Sequence, residues 1–191
     1  LIRKILIKVK YSVLGNIKNK TNFFPFHSFS DIVFMNLDGG NNKMFEIFFF
    51  VNPIGINCYQ NKQEIIAAVS GYNQNISYHF IPITTMNTIR NDIKARHLSS
   101  NNVEVFNTFS QSAYNATKDY HTLKLIVGNK KARQYIINLQ HAINDMNKTY
   151  SPELVDEILN SLDVSIKNFK KNRESNYIKL SMDKDLKLAD D

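Results

Sequence analysis

Among the residues able to carry chemistry, one thiol stands apart. Cys58 is the single cysteine of the 191-residue chain, and it falls where a helix is expected to begin, over about Cys58 to Ser70. Exposed N–H groups and the helix dipole at such a position favour the thiolate and raise its reactivity. One thiol can enter a mixed disulfide or be oxidised to a sulfenic acid, but it has no second thiol in this sequence with which to close a disulfide. The favoured alternative is a packed, inert cysteine at a strand–helix junction, since unpaired cysteines are often buried and unreactive.

The neighbours of Cys58 carry no charge. From Asn52 to Asn61 the chain offers Pro53, Ile54, Ile56, Tyr59 and Gln60 among amides, with no ionised side chain. Apolar and amide groups suit a protein surface better than a phosphate or a charged metabolite. Pro53, Tyr59 and Gln60 are therefore candidate binding residues, with Tyr59 the expected aromatic anchor. His27, His79, His97, His121 and His141 show no i, i+3 or i, i+4 pairing and no cysteine partner, so no metal site is expected. No glycine-rich phosphate loop or nucleophile elbow is present, and no cofactor is expected. The basic groups Lys130, Lys131 and Arg133, and likewise Lys167, Lys170, Lys171 and Arg173, read as solvated helix faces.

The elements that would position Cys58 follow from periodicity. Phe45 to Val51 is a near-continuous apolar, β-rich run, the pattern of a central strand covered on both faces. Asn52-Pro53 stops it, and Gly55 adds freedom to the turn. The helix after it buries Ile65, Ile66 and Val69 and stops at Gly71. Ile76, Tyr78 and Phe80 alternate along a second strand ending near Pro82. Strand, helix and strand in so short a span predict a parallel pair.

Beyond Pro82 the period turns helical. One face collects Phe106, Phe109, Ala113, Ala116, Tyr120 and Leu123, and the next helix collects Ala132, Tyr135, Ile136, Leu139, Ala142, Ile143 and Met146. Ser151-Pro152-Glu153 is a helix start, with a capping oxygen, a proline in the first turn and an early acid. Its buried stripe is Leu154, Val155, Ile158, Leu159 and Leu162. Asp163 is the expected cap of a further short helix through Phe169, and Ile178, Met182 and Leu186 mark the last helix. Residues 44–83 thus read as a strand–helix–strand core and 84–191 as a helical domain.

Residues 1–43 read differently. They carry seven Lys/Arg against two Asp/Glu, whereas the remaining residues carry 17 against 15. The net charge of +7 is thus concentrated in this segment, and a nucleic-acid partner is not expected of the main body. Gly39-Gly40 can be encoded by a ribosome-binding sequence set a suitable distance before Met44. We read residues 1–43 as translated leader, or else as a basic arm with a turn at Gly39-Gly40. The charges Arg3, Lys4, Lys8 and Lys10 interrupt any signal-peptide apolar region. No run approaches the roughly 20 apolar residues that span a bilayer, and a lone cysteine fits a reducing compartment; the expected location is cytoplasmic. Two strands make an unstable sheet by themselves, so further strands are expected after Asp191.

Phe50-Val51-Asn52-Pro53, a cysteine at the helix start and a long helical insertion resemble the DsbA-like branch of the thioredoxin superfamily. Met44-Phe45-Glu46-Ile47-Phe48-Phe49-Phe50-Val51-Asn52-Pro53 with Cys58, together with Phe80-Ile81-Pro82 and Tyr150-Ser151-Pro152-Glu153-Leu154, is similar to the YjbH/SpxH group of low-G+C Gram-positive bacteria. The resemblance covers about Met44 to Asp191 and implies an α/β thioredoxin-like core with an inserted helical domain, cut off before its C-terminal strands. It also implies an adaptor that binds the transcription factor Spx and presents it to the ClpXP protease during oxidative stress. The alternative it carries is a thiol–disulfide oxidoreductase or isomerase acting through Cys58. Two departures from the superfamily stand against redox activity. The C-x-x-C motif reads Cys58-Tyr59-Gln60-Asn61, with Asn61 in place of the resolving cysteine, and the cis-proline has no counterpart.

Overall fold

The computed structural model describes residues 32–37, 44–60 and 76–190. The chain divides into two units, one comprising Leu1–Phe50 and Ala68–Ile81, the other Val51–Ala67 and Pro82–Asp191.

The first unit holds a sheet of three strands in the order β1 (Ile32–Leu37), β2 (Met44–Val51) and β3 (Ile76–Pro82). β2 is the middle strand, as its near-continuous apolar run predicts. β1 pairs with it antiparallel, from Ile32 opposite Phe49 to Leu37 opposite Met44. Two strands were expected and three are found. The third lies within the segment read as leader or arm, where Ile32–Met35 is rich in β-formers but too short for its period to register. Phe48 stacks on His79 at 4.9 Å, and Phe49 meets Phe80 edge-on at 5.6 Å. Ring contacts of this kind are the usual cross-strand glue.

In the second unit a short helical stretch, α1, is described over 56–60; the stripe expected at Ile65, Ile66 and Val69 lies outside the described residues. α2 (Met86–Ala95), α3 (Val103–Val127), α4 (Asn129–Asn144), α5 (Pro152–Ser161), α6 (Ile166–Arg173) and α7 (Asn176–Asp190) follow. Each start has a local cause. Thr85 and Thr88 form a reciprocal capping box on α2, Asn102 Oδ1 accepts from Glu104 and Val105 on α3, and Ser151 with Pro152 opens α5. Gly128, at φ +83°, makes the break between α3 and α4.

α3 is the axis of this unit and packs against α2, α4, α6 and α7. Its stretch from Asp119 to Leu123 is buried without interruption, and Thr117, Asp119, His121 and Thr122 are interior along with Ala113, Ala116, Tyr120 and Leu123. The apolar stripes of α4 and α5 are buried largely as expected, through Ala132, Tyr135, Ile136, Leu139, Leu154, Val155, Ile158 and Leu159.

Three expectations need correction. Met146 is exposed because α4 ends at Asn144, before the period reaches it. Leu186 is partly exposed, and the buried line of α7 runs through Ile178 to Asp185 instead. Asp163 does not cap α6. It adopts φ 54° just after α5, where the N–H groups of Asp163 and Val164 bond to the carbonyls of Asn160 and Leu159. That is a Schellman closure with aspartate in the left-handed position, and Ser165 supplies the cap of α6.

Candidate functional site

The turn that carries Cys58 is built from its own polar atoms. Asn52 Oδ1 accepts from the N–H of Ile54 at 3.2 Å, and the N–H of Gly55 bonds to the carbonyl of Asn52 at 3.0 Å. This asparagine turn reverses the chain within three residues. Tyr59 N–H reaches the carbonyl of Gly55 at 3.0 Å, which makes Gly55 the cap residue and Ile56 the first helical one. A Cβ at position 55 would stand 3.0 Å from Asn52 Cβ. Glycine is therefore the residue that lets the turn close this tightly.

The helix starts two residues earlier than the sequence indicated, so Cys58 is its third residue and not its first. The thiol is half-buried, and Asn52 N–H donates to Sγ at 3.4 Å. A residue at the cap presents its side chain to solvent ahead of the first turn; a residue three positions on lies against that turn. The i, i+3 frame around Cys58 thus has two settings. In one the partner position is Gly55, at the cap; in the other it is Asn61, whose placement lies outside the described residues.

Pro53 is buried, and Tyr59 is 8% exposed. Neither is available to a partner. Tyr59 points inward because its hydroxyl has a destination: it donates to Asp145 Oδ2, with His141 Nδ1 at 3.5 Å, and His141 and Asp145 are themselves 2.7 Å apart. The anchor expected for an interface is an anchor of the turn. Gln60 is exposed as expected, Asn57 joins it, and Ile56 and Cys58 are half-buried between them.

Side chains distant in sequence hold the main chain of this turn. Asp92 Oδ1 accepts from the N–H of Ile56 at 2.8 Å, and Arg96 Nη2 donates to the carbonyl of Ile54 at 2.7 Å. Gln140 Nε2 donates to the carbonyl of Asn52 at 3.2 Å. Periodicity could not have found these residues, since Asp92 and Gln140 are polar groups on the buried faces of α2 and α4. The sole legible sign was a polar residue at an apolar register position.

Two further polar clusters lie in the same unit. Asp119, fully buried, accepts from Tyr135 Oη at 2.8 Å, Tyr150 Oη at 2.6 Å and Arg173 Nε at 2.6 Å. Burial pushes its carboxyl above the usual carboxylate range, against the opposing pull of Arg173 and the hydroxyls. Burial and the carboxylate push both tyrosines upward as well. The cluster floors an open cleft of about 810 Å³ edged by Asn107, Gln111, Asn115 and Lys170. The other cluster joins α3 to α7. His121 Nδ1 lies 2.8 Å from Ser181 Oγ, and its Nε2 lies 3.6 Å from Asp185 Oδ2. Burial, helped by Lys124, lowers His121 to about 4, and burial raises Asp185. No group of three or more His, Cys, Asp or Glu residues suited to a metal occurs among the described residues. No helix among them is long and apolar enough to cross a membrane.

The order of elements, a small sheet followed by a long run of helices, is the thioredoxin-like, DsbA-type arrangement that the sequence resemblance implied. A proposed protein disulfide isomerase from Nitrosomonas europaea shares this fold with a TM-score of 0.54 at 12% identity, over 75% of this chain and 76% of that one. A variant of Pseudomonas aeruginosa DsbA aligns with a TM-score of 0.45 at 15% identity, over 86% and 76% of the two chains. No match is found among curated proteins. A family profile described as thioredoxin matches residues 48–191, three-quarters of the sequence, and the chain belongs to that family.

Proposed function

We propose that this thioredoxin-family chain is a protein-binding adaptor that engages an Spx-like transcriptional regulator and delivers it to ClpXP in the cytoplasm. The observation that carries this reading is the face offered at the strand–helix junction. Ile56, Asn57, Cys58 and Gln60 are the accessible residues there, a neutral set of one aliphatic, two amides and one thiol. Amides can donate to and accept from a partner's main chain, and an aliphatic rim excludes water around them. Nothing in the set needs a second cysteine. A reconstituted degradation assay tests the reading: the chain should accelerate loss of the regulator over ClpXP alone, and Cys58→Ser should retain that acceleration. No acceleration ends the adaptor reading.

A second reading, thiol–disulfide exchange, is favoured by the hydrogen bond from Asn52 N–H to Cys58 Sγ and by the thiol chemistry for which the fold is suited. Charge-assisted donation of this kind stabilises a thiolate. A single thiol supports mixed-disulfide formation with a partner but no internal release step. Insulin reduction by dithiothreitol should accordingly proceed at close to the uncatalysed rate. Turnover that vanishes in Cys58→Ala would establish this second reading over the first.

A further inference from the structure

Arg96 occupies a place that the fold has made rigid. It is the C-cap of α2, followed by His97 at φ 59°, and the N–H groups of His97 and Leu98 close on the carbonyls of Lys94 and Ile93. This Schellman closure fixes the backbone from which the guanidinium projects. The group is mostly buried and is engaged through Nε and Nη2. Nε bonds to Asp92 Oδ2 at 3.1 Å, and Nη2 reaches both the carbonyl of Ile54 at 2.7 Å and Asn144 Oδ1 at 2.8 Å. Cζ lies 5.3 Å from the centroid of the Phe109 ring. Asn144 is steadied in turn by its own bond to the carbonyl of Gln140, the residue that bonds Asn52.

Asp92 completes the grip. Its other oxygen takes the N–H of Ile56. One ion pair therefore holds the carbonyl on one side of Gly55 and the N–H on the other. The cap residue is a glycine with no side chain to accept from the first turn, and Asp92 supplies that acceptor from a different helix. The planar fork of arginine reaches these acceptors from two separate nitrogens in a fixed plane; lysine carries all its donors on one nitrogen.

We infer that Arg96, acting with Asp92, is a positioning residue that sets the conformation and charge of the Cys58 turn from outside it. The inference rests on reading the 52–60 face as the working surface. It implies opposite consequences for the two partners. Removing Arg96 leaves the Asp92 carboxylate without its counter-charge beside the start of α1, which disfavours a thiolate in that helix. Removing the Asp92 charge does the reverse.

The test is the pH–rate profile for alkylation of Cys58 by iodoacetamide in the full chain, with the far-UV melt recorded alongside. Arg96→Leu should move the midpoint of the profile upward and slow alkylation several-fold at pH 7.5. Asp92→Asn should move the midpoint downward. Arg96→Lys keeps the charge without the fork, so its midpoint should stay near the wild-type value while its high-pH plateau rises as the turn loosens. Unchanged profiles in all three variants, or shifts of one sign in Arg96→Leu and Asp92→Asn, overturn the inference. Should Arg96→Leu fail to fold, a downward midpoint in Asp92→Asn beside an unshifted one in Arg96→Lys supports the inference, and any other pair of midpoints overturns it. The assay contains no client, so a failed degradation experiment would remove the adaptor reading and leave this result standing.

Discussion

Buried polar groups serve two different ends in the helical unit. On α3, Asp119 and His121 bond to side chains: Tyr135, Tyr150 and Arg173 around the first, Ser181 beside the second. Around the 52–60 turn, side chains of α2 and α4 bond instead to main-chain atoms of Asn52, Ile54 and Ile56. Side-chain bonds within α3's surroundings tie helix to helix, and their loss is felt as stability. Bonds to a turn's main chain fix the path of the segment, and their loss is felt as a change in what that segment presents. The same polar chemistry is structural in one place and presentational in the other.

The largest expected effect breaks the α3 side of this contrast. Asp119→Ala leaves Arg173 without its buried partner and two hydroxyls without an acceptor, at a cost of about 3–5 kcal/mol. Urea unfolding should show that loss, while alkylation of Cys58 in the folded protein keeps its wild-type pH profile. A shifted profile would mean that the two regions are not separable.

Next in size is a pH effect from His121. Its folded value of about 4 lies below the ordinary 6.5. Above pH 6.5 the imidazole is neutral whether folded or unfolded, and it contributes no pH dependence. As pH falls from 6.5 towards 4 the unfolded chain takes up a proton that the folded one refuses, so stability drops by roughly 3 kcal/mol. Asp119 and Asp185, both raised, act with the opposite sign, gaining stability as they protonate on acidification. The difference between wild type and His121→Gln isolates the histidine. Melting temperatures measured across this window should fall more steeply for wild type, and parallel curves would refute the assignment.

On the turn side, Tyr59→Phe removes one hydroxyl and its bond to Asp145. A loss of about 1–2 kcal/mol is expected, with faster amide exchange concentrated at residues 52–60. Exchange rising evenly through α3 and α4 would place Tyr59 with the structural group.

The smallest energetic effect is the most telling about the motif. Gly55→Cys should form a disulfide with Cys58 under mild oxidation, once Asn52 yields the few tenths of an ångström that a Cβ at position 55 needs. Asn61→Cys should form one poorly. In the helix that the sequence predicts from about Cys58 to Ser70, positions i and i+3 hold their Cβ atoms about 5–6 Å apart, beyond the roughly 3.5–4.5 Å that a disulfide spans. So small a loop adds little stability, and mass spectrometry after thiol blocking is the measurement. Efficient closure by Asn61→Cys would return the motif frame to residues 58–61.

Much of the architecture was legible before any coordinates. The near-continuous apolar run Phe45–Val51, the alternation Ile76, Tyr78, Phe80 and the three- and four-residue spacings after Pro82 each report a local pattern, and a local pattern is a property of the chain itself. The capping signals at Ser151-Pro152 and the uncharged stretch about Cys58 were equally plain. β1 was missed because six residues carry too little pattern, and the start of α1 was set two residues late because a glycine cap leaves no side-chain signature.

What the sequence by itself determined is the thioredoxin-type order of elements, a single thiol at the strand–helix junction and the absence of charge around it. Tertiary structure alone decided that Tyr59 faces Asp145 rather than a partner, that Cys58 is the third residue of its helix, and that Asp92, Arg96 and Gln140 hold the turn. Those residues lie 36 or more positions from the main-chain atoms they bond. Hydrogen bonds across such separations leave no periodic trace, because they depend on how helices pack and not on how any one of them is spaced.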